Sequence, residues 1–158
     1  MRRILAVVLS LVIIGAMLPI TAVADSHDDV AKTIMNLAYE QWDAFNKRDV
    51  AKAMEQVADE YTEFNPVAAT RLDGKELNVR MAEAGNQDLG EGILAEMLNP
   101  KVQIYGDVAI LSYNYLGMTK DKDGNTEPFR AKSTRVYVNK DGSWKLVHAN
   151  FGADPQPE

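Results

Sequence analysis

Residues 127–151 read EPFRAKSTRVYVNKDGSWKLVHANF and contain the pattern that decides the fold. Two runs of alternating apolar and polar residues flank Asp141-Gly142, a pair that favours a tight hairpin because glycine accepts a positive φ. Gly106-Asp107 and Asp123-Gly124 separate similar runs upstream. We therefore predict a sheet in which each strand follows its neighbour through a short turn. Its four long strands are Ile93–Tyr105, Val108–Thr119, Glu127–Val138 and Trp144–Phe151.

The residues before this sheet predict three helices and one short strand. Apolar residues at helical spacing predict a long amphipathic helix from His27 to Arg48. We expect a second helix from Val50 to about Asp59 and a third from Lys75 to about Ala84, with a short strand over Tyr61–Phe64. The expected class is α+β. A curved antiparallel sheet wraps around the long N-terminal helix as a cone with an open mouth, and two shorter helices complete it.

The N-terminus predicts a signal peptide over residues 1–24. Arg2 and Arg3 precede an uncharged apolar run, and Ala22-Val23-Ala24 matches the small-residue pattern of a cleavage site. We expect cleavage after Ala24 and a periplasmic or secreted bacterial protein, with an uncleaved N-terminal anchor as the alternative. One domain over residues 25–153 and a disordered tail over residues 154–158 would follow.

Charge and cysteine content exclude several classes of protein. Cleavage would remove two arginines and no acids, so the formal net charge would move from −6 to −8. An acidic domain of this size does not neutralise phosphates, which excludes a nucleic-acid partner. The sequence has no cysteine, so stability must come from the core without disulfides, and no lipoprotein anchor can form. We expect no membrane contact after cleavage.

Several motifs occur in the order found in a known family. In the second half they are Leu98-Asn99-Pro100-x-Val102, Thr134-Arg135-Val136-Tyr137, Asp141-Gly142-x-Trp144, and Val147-His148 ahead of Gly152 and Pro155. In these motifs the chain resembles the association (hub) domain of calcium/calmodulin-dependent protein kinase II, within the nuclear-transport-factor-2-like or SnoaL-like superfamily. The first half resembles it through Asn46-Lys47-Arg48-Asp49, Thr62-x-Phe64-x-Pro66 and Gly74.

The resemblance implies a fold, a partner and a pocket. The fold is the cone-shaped, cystatin-like roll of the superfamily, and the partner is a second copy of the chain, in a homodimer or a larger ring. Kinase activity is not expected, because the sequence has no glycine-rich phosphate loop and no magnesium-binding motif. The family lines its pocket with several arginines. Only Arg135 matches them, since Tyr115 and Phe151 stand at other positions, so a more aromatic pocket is expected here.

Strand alternation places Arg135 on one face with aromatic and small residues, which we expect to line this pocket. A buried guanidinium needs a partner, because an unpaired buried charge is costly. Glu40, Asp43 or Glu63 could form an internal ion pair with it, and the carboxylate of a bound ligand could do so equally well. The predicted pocket residues are Tyr39, Trp42, Phe64, Asn65, Tyr113, Tyr115, Arg135, Tyr137 and Phe151.

The opposite face of the last strands predicts an interface between copies of the chain. His148 lies there among apolar residues, a setting typical of a core or interface histidine rather than a catalytic one. The predicted interface residues are Val136, Val138, Trp144, Leu146 and His148.

An enzyme of the ketosteroid-isomerase type is an alternative that the sequence disfavours. Relatives with that activity use a carboxylate before a proline and an acidic oxyanion donor on a long strand. Here Asn65 precedes the proline, and Thr134 stands where the acidic donor would fall. We therefore predict no catalytic residues, with Glu63 and Tyr115 as the weak candidates, and no cofactor.

Metal binding is also disfavoured. Asp121, Asp123 and Asn125 resemble the start of a calcium loop, but Thr126 and Lys132 replace its glycine and its bidentate glutamate. The weak candidate is the mature N-terminus, Asp25-Ser26-His27, whose amine, amides and imidazole could bind Cu(II) or Ni(II).

The sequence thus predicts an exported, non-catalytic, homo-oligomeric domain. Its conical pocket would bind a small, largely apolar molecule that could carry a carboxylate. The alternatives are a domain that serves oligomerisation or scaffolding alone, and an isomerase-type enzyme.

Overall fold

The computed structural model describes residues 26–66, 68–85 and 90–154. The predicted signal peptide, Asp25 and residues 155–158 lie outside them. No helix within the described ranges is long and apolar enough to cross a bilayer. The elements are α1 (His27–Asn46), α2 (Val50–Ala53), β1 (Val57–Phe64), β2 (Leu72–Asp73), α3 (Lys75–Gly85), β3 (Glu91–Tyr105), β4 (Val108–Lys120), β5 (Thr126–Lys140) and β6 (Ser143–Ala153).

One six-stranded sheet has the order β2-β1-β6-β5-β4-β3. β3 to β6 form the predicted antiparallel meander. β1 pairs parallel to β6, and β2 pairs antiparallel to the other edge of β1. The turn between β5 and β6 has positive φ at both Asp141 (53°) and Gly142 (84°), as a two-residue hairpin loop of type I′ requires. The predicted α+β class and curved sheet are confirmed.

α1 lies against the concave face of the sheet and forms the core with it. Ser26 caps the helix, because its Oγ accepts a hydrogen bond of 3.2 Å from the amide of Asp29. Ile34 and Ala38 on its inner side are fully buried with Leu111 of β4 in one cluster. The inside of the cone is therefore the hydrophobic centre of the molecule as well as the predicted pocket.

The second helix is shorter than predicted. α2 ends at Ala53, and Val57–Asp59, expected to be helical, begins strand β1 instead. Val57 is buried, as it would be on the inner side of a helix, so apolar spacing did not distinguish the two structures. Pairing between Val57 and Leu146 supplies the strand hydrogen bonds that decide the outcome.

The curvature of the sheet has a local cause in β3. Asn99 has a φ of 50°, and the pairing register with β4 shifts between Leu98 and Lys101. The extra residue bends the strand, as a β-bulge does, and Pro100 removes one backbone donor there. The Leu-Asn-Pro motif thus marks the bend that allows the sheet to close around α1.

A second irregularity reverses part of the predicted interface. Val136 pairs with His148, but Tyr137 pairs with Leu146, so Val147 is an extra residue in β6. Because of this bulge, the residues of β6 that precede Val147 face the opposite side from the one that simple alternation predicts. Leu146 therefore lies in the core at 2% exposure, and Trp144 packs against that core. The prediction that Trp144 and Leu146 lie on the outer face is wrong for this reason.

Candidate functional site

Arg135 is buried at the centre of the concave face. It is 3% exposed, and its cross-strand neighbours are Leu111 on β4 and Ala149 on β6. Its Nε donates a hydrogen bond of 2.8 Å to Oη of Tyr113, and its Nη1 donates to Oε1 of Gln41 on α1. The guanidinium therefore joins the sheet to the helix that lies across it.

Aromatic rings cover the guanidinium on two sides. Its central carbon lies 5.8 Å from the ring centroid of Trp42 and 5.5 Å from that of Phe151, both within cation–π range. Trp42 also makes edge contacts with Tyr113 at 5.5 Å and with Tyr115 at 5.0 Å. The structure thus brings together most of the predicted pocket residues, namely Tyr39, Trp42, Tyr113, Tyr115, Arg135, Tyr137 and Phe151.

The partners of Arg135 are neutral. Asp43, one of its predicted partners, instead forms an ion pair of 2.6 Å with Lys47. Across residues 26–66, 68–85 and 90–154, no carboxylate lies within ion-pair distance of Arg135. Burial acts to lower the pKa of Arg135, but the hydroxyls of Tyr113 and Tyr137 outweigh it and hold that pKa above its usual value. The buried group therefore stays charged.

Glu63 on β1 is partly buried and lies on the inner face of the sheet. Its Oε2 accepts a hydrogen bond of 2.8 Å from the hydroxyl of Tyr61, and its Oε1 accepts one of 2.9 Å from Nδ2 of Asn65. Phe64, which we expected in the pocket, points the other way. It is 48% exposed and meets the ring of His148 edge-on at 6.0 Å. Alternation along β1 holds, but the inner positions belong to Tyr61 and Glu63.

One buried hydroxyl on the inner face lacks a partner. Ser133 is 4% exposed, and its Oγ forms no hydrogen bond with any described residue. Its cross-strand neighbours are Tyr113 and Phe151, so it lies beside the rings that cover Arg135. Buried polar side chains are nearly always hydrogen-bonded, which makes this hydroxyl a place where a polar ligand atom or a water would be stabilised.

A depression between α1 and α2 lies on the far side of Gln41 from the aromatic rings. It is small and open to solvent, with a cavity volume of about 30 Å³. Gln41 lines it, and Nε2 of Gln41 donates a hydrogen bond of 3.0 Å to the carbonyl of Ala53. The remaining lining residues are Leu37, Glu40, Lys52, Glu55, Gln56, Val57, Tyr137 and Leu146. Since Trp42 and Phe151 cover the guanidinium, a ligand would reach Arg135 by moving a ring or Gln41.

The outer face of the sheet keeps three of the predicted interface residues. Val136, Val138 and His148 are partly exposed there, and His148 Nδ1 shares a hydrogen bond of 2.8 Å with Oγ1 of Thr62. Thr134 lies on the same face, since Ser133 and Arg135 point inward. The residue aligned with the acidic donor of isomerases therefore does not face the interior.

The described residues contain no group of three side chains able to hold a metal ion. Asp121 instead organises a hairpin turn, because its Oδ1 accepts hydrogen bonds from the amides of Asp123 and Asn125 at 2.9 and 2.8 Å. The suggested copper or nickel site depends on Asp25, which lies outside the described residues.

Tail residue Asp154 accepts a hydrogen bond of 3.1 Å from Asn114, so ordered chain reaches at least that far.

Three residues of this site were absent from the predicted set. Gln41 lies three residues after the buried Ala38, so helical spacing could have placed it on the inner side of α1. Tyr61 and Ser133 occupy inward-facing positions on their strands, but alternation does not reveal whether a hydroxyl is hydrogen-bonded.

Comparison with known proteins gives a consistent result. The model of the calcium/calmodulin dependent protein kinase II association domain family matches residues 30–155. The association domain of this kinase from C. elegans is 26% identical, with a TM-score of 0.71, covering 82% of this chain and 100% of that one. The hub of the S. rosetta kinase is 23% identical, with a TM-score of 0.64, covering 84% and 100%. A nuclear transport factor 2-like protein from Salmonella enterica shares the fold at 13% identity, with a TM-score of 0.70 over 84% of this chain and 96% of that one. No curated protein matches.

Proposed function

The chain belongs to the calcium/calmodulin dependent protein kinase II association domain family. We propose that it is an exported, homo-oligomeric domain that binds a small ligand inside its cone. The ligand is largely apolar and carries a carboxylate. Copies of the chain associate through the outer face of the sheet. Catalysis is not part of this proposal.

The observation that carries the binding function is the buried charge of Arg135 without a carboxylate partner among the described residues. Tyr113 and Gln41 satisfy two of its donors but do not balance its charge. A carboxylate does both, and its bond to a desolvated guanidinium is stronger than a bond between neutral groups. The rings of Trp42 and Phe151 beside it would contact the apolar part of such a ligand.

Analysis of the copurifying small molecule tests this function. The mature protein is purified from its own host, and the released compounds are identified by mass spectrometry. We expect a carboxylic acid in the wild type and its loss in Arg135→Gln, whereas Arg130→Gln, at an exposed position of the same strand, should retain it. Equal content in both variants, or no bound acid in the wild type, would refute the proposal.

Self-association is supported by the apolar character of the outer face. Val108, Ile110, Val136 and Val138 are register partners on β4 and β5 and are all partly exposed. Two of the relatives described above are hub or association domains of a kinase. A second copy of the chain, which carries the same apolar patch, is the partner that we propose for this face.

Export rests on the N-terminal sequence alone. Arg2, Arg3, the apolar run and Ala22-Val23-Ala24 support it. N-terminal sequencing of the protein in the extracytoplasmic fraction should begin at Asp25, and a start at Met1 there would favour the anchor instead.

One observation favours the isomerase-type alternative, namely the interior carboxylate of Glu63 beside the hydroxyl of Tyr61. Asn65 and the outward-facing Thr134 oppose it, because neither supplies the base or the oxyanion donor. Turnover of a simple β,γ-unsaturated ketone by the wild type, lost in Glu63→Gln, would establish this activity.

A further inference from the structure

Two opposite charges face the interior without meeting. Glu63 on β1, Ala149 on β6 and Arg135 on β5 are register partners, so their side chains lie in one row on the inner face. Adjacent strands are about 4.8 Å apart, which puts the backbones of Glu63 and Arg135 roughly 10 Å apart. Only the methyl group of Ala149 stands between them on the sheet. Within the described residues, neither side chain forms an ion pair.

The hydrogen-bond partners of both charged side chains are neutral groups. Tyr61 and Asn65 each donate a hydrogen bond to the carboxylate of Glu63. On the other strand, Tyr113 and Gln41 accept the hydrogen bonds of Arg135. Arg135 is 3% exposed, and a charge removed from water is costly unless an opposite charge compensates it. Each group is oriented, and each leaves its charge available to something that enters the interior.

A third polar group lies in the same region. Ser133 is two residues before Arg135 on the inner face of β5, about 6.8 Å away along the strand. Its Oγ is buried and forms no hydrogen bond with the described residues. The interior therefore offers a cation, an anion and an unused hydroxyl, which together suit a ligand with polar groups at more than one position.

On these grounds, which rest on the interior binding function proposed above, we infer that the ligand is zwitterionic. It is a short aliphatic amino acid whose carboxylate binds Arg135 and whose ammonium group binds Glu63. The two charged ends are separated by several bonds, because the groups that receive them stand on strands with β6 between them. The hydroxyl of Ser133 forms a hydrogen bond with a polar atom near the carboxylate end of the ligand.

Calorimetry on the intact mature protein tests this with 5-aminopentanoate and pentanoate, which differ by the amino group alone. We expect the wild type to bind 5-aminopentanoate at least about tenfold more tightly, the value of one charge-assisted contact. Glu63→Gln should abolish this preference and leave pentanoate affinity within about twofold of the wild type. Glu83→Gln, which removes an exposed carboxylate of α3, is the matched control and should keep the preference.

The outcomes separate this inference from the function on which it rests. Equal affinity of the wild type for the two probes overturns the zwitterionic ligand and leaves a carboxylate site standing. No binding of either probe overturns both. Because Glu63→Gln could loosen β1, Glu63→Asp provides a second test, since it keeps the charge. It should retain a preference for 5-aminopentanoate, and a complete loss of preference in a variant that melts like the wild type would also refute the inference.

Discussion

The ionisation of Tyr61 should lower the stability of the fold at alkaline pH. Burial, followed by the carboxylate of Glu63, raises the pKa of Tyr61 above its usual value of about 10. The folded chain therefore holds the phenol proton more tightly than the unfolded chain does. This stabilisation is complete below about pH 10 and is lost as the pH rises further.

We expect Tyr61→Phe to flatten the alkaline decrease in the free energy of unfolding. Urea denaturation between roughly pH 8 and pH 11 measures that decrease, because this range spans the ionisation of an unfolded tyrosine. Tyr105→Phe, at a position that is 61% exposed, is the control and should leave the pH dependence unchanged. An equally steep alkaline decrease in Tyr61→Phe and in the wild type would contradict the assignment.

Single residues also show what the sequence could predict about the site. The inward direction of Arg135 followed from alternation along a long, regular strand. The directions of Glu63 and Phe64 could not be predicted in this way. Alternation shows that neighbouring residues face opposite sides of a strand, but it does not show which side faces the core. Tyr61 decides this in the structure, since its buried ring brings Glu63 inward with it.

Among the elements, β6 departs from a regular strand at one residue. Its extra residue, Val147, places Leu146 in the core and leaves His148 on the outer face. We expect Leu146→Ala to lower the free energy of unfolding by about 2–5 kcal/mol, the range for truncating a buried leucine. Val138→Ala, on the outer face, should cost less than about 1.5 kcal/mol in the monomer.

Chemical denaturation under conditions that keep the protein monomeric measures both changes. If β6 were regular, as its sequence alone indicates, Leu146 would lie outside and the two costs would be similar. A loss below about 1 kcal/mol for Leu146→Ala would therefore favour the regular strand.

Turns were easier to predict than irregularities within elements. Asp141-Gly142 specifies a hairpin through backbone φ values that few residue pairs adopt, so the signal is local. The end of α2 depends instead on Val57 pairing with β6, almost ninety residues later. The bulge at Val147 likewise depends on pairing with both neighbours of β6, which no short stretch of sequence encodes.

On the scale of the whole molecule, both faces of the sheet carry apolar residues, and the long helix covers the inner one. α1 covers the inner face, where Ile34 and Ala38 are fully buried. The outer face carries Val108, Ile110, Val136 and Val138, which remain partly exposed in a single chain. A contiguous apolar patch rimmed by polar groups is typical of a protein–protein interface.

We expect the wild type to sediment at no less than the mass of a dimer at micromolar concentration. Val136→Asp should shift it to the monomer, because a carboxylate buried between two apolar faces would have no counter-ion and would face its own copy across a two-fold axis. Unchanged circular dichroism would show that the monomeric variant is still folded, since Val136 does not contribute to the buried core. Thr126→Asp, at the exposed β4–β5 turn, adds the same charge away from the patch and is the control. If it leaves the mass unaltered, a change in net charge alone cannot explain the shift. A wild type that sediments only as a monomer would mean that the apolar outer face is solvent-exposed in the working protein, and self-association would have to be abandoned.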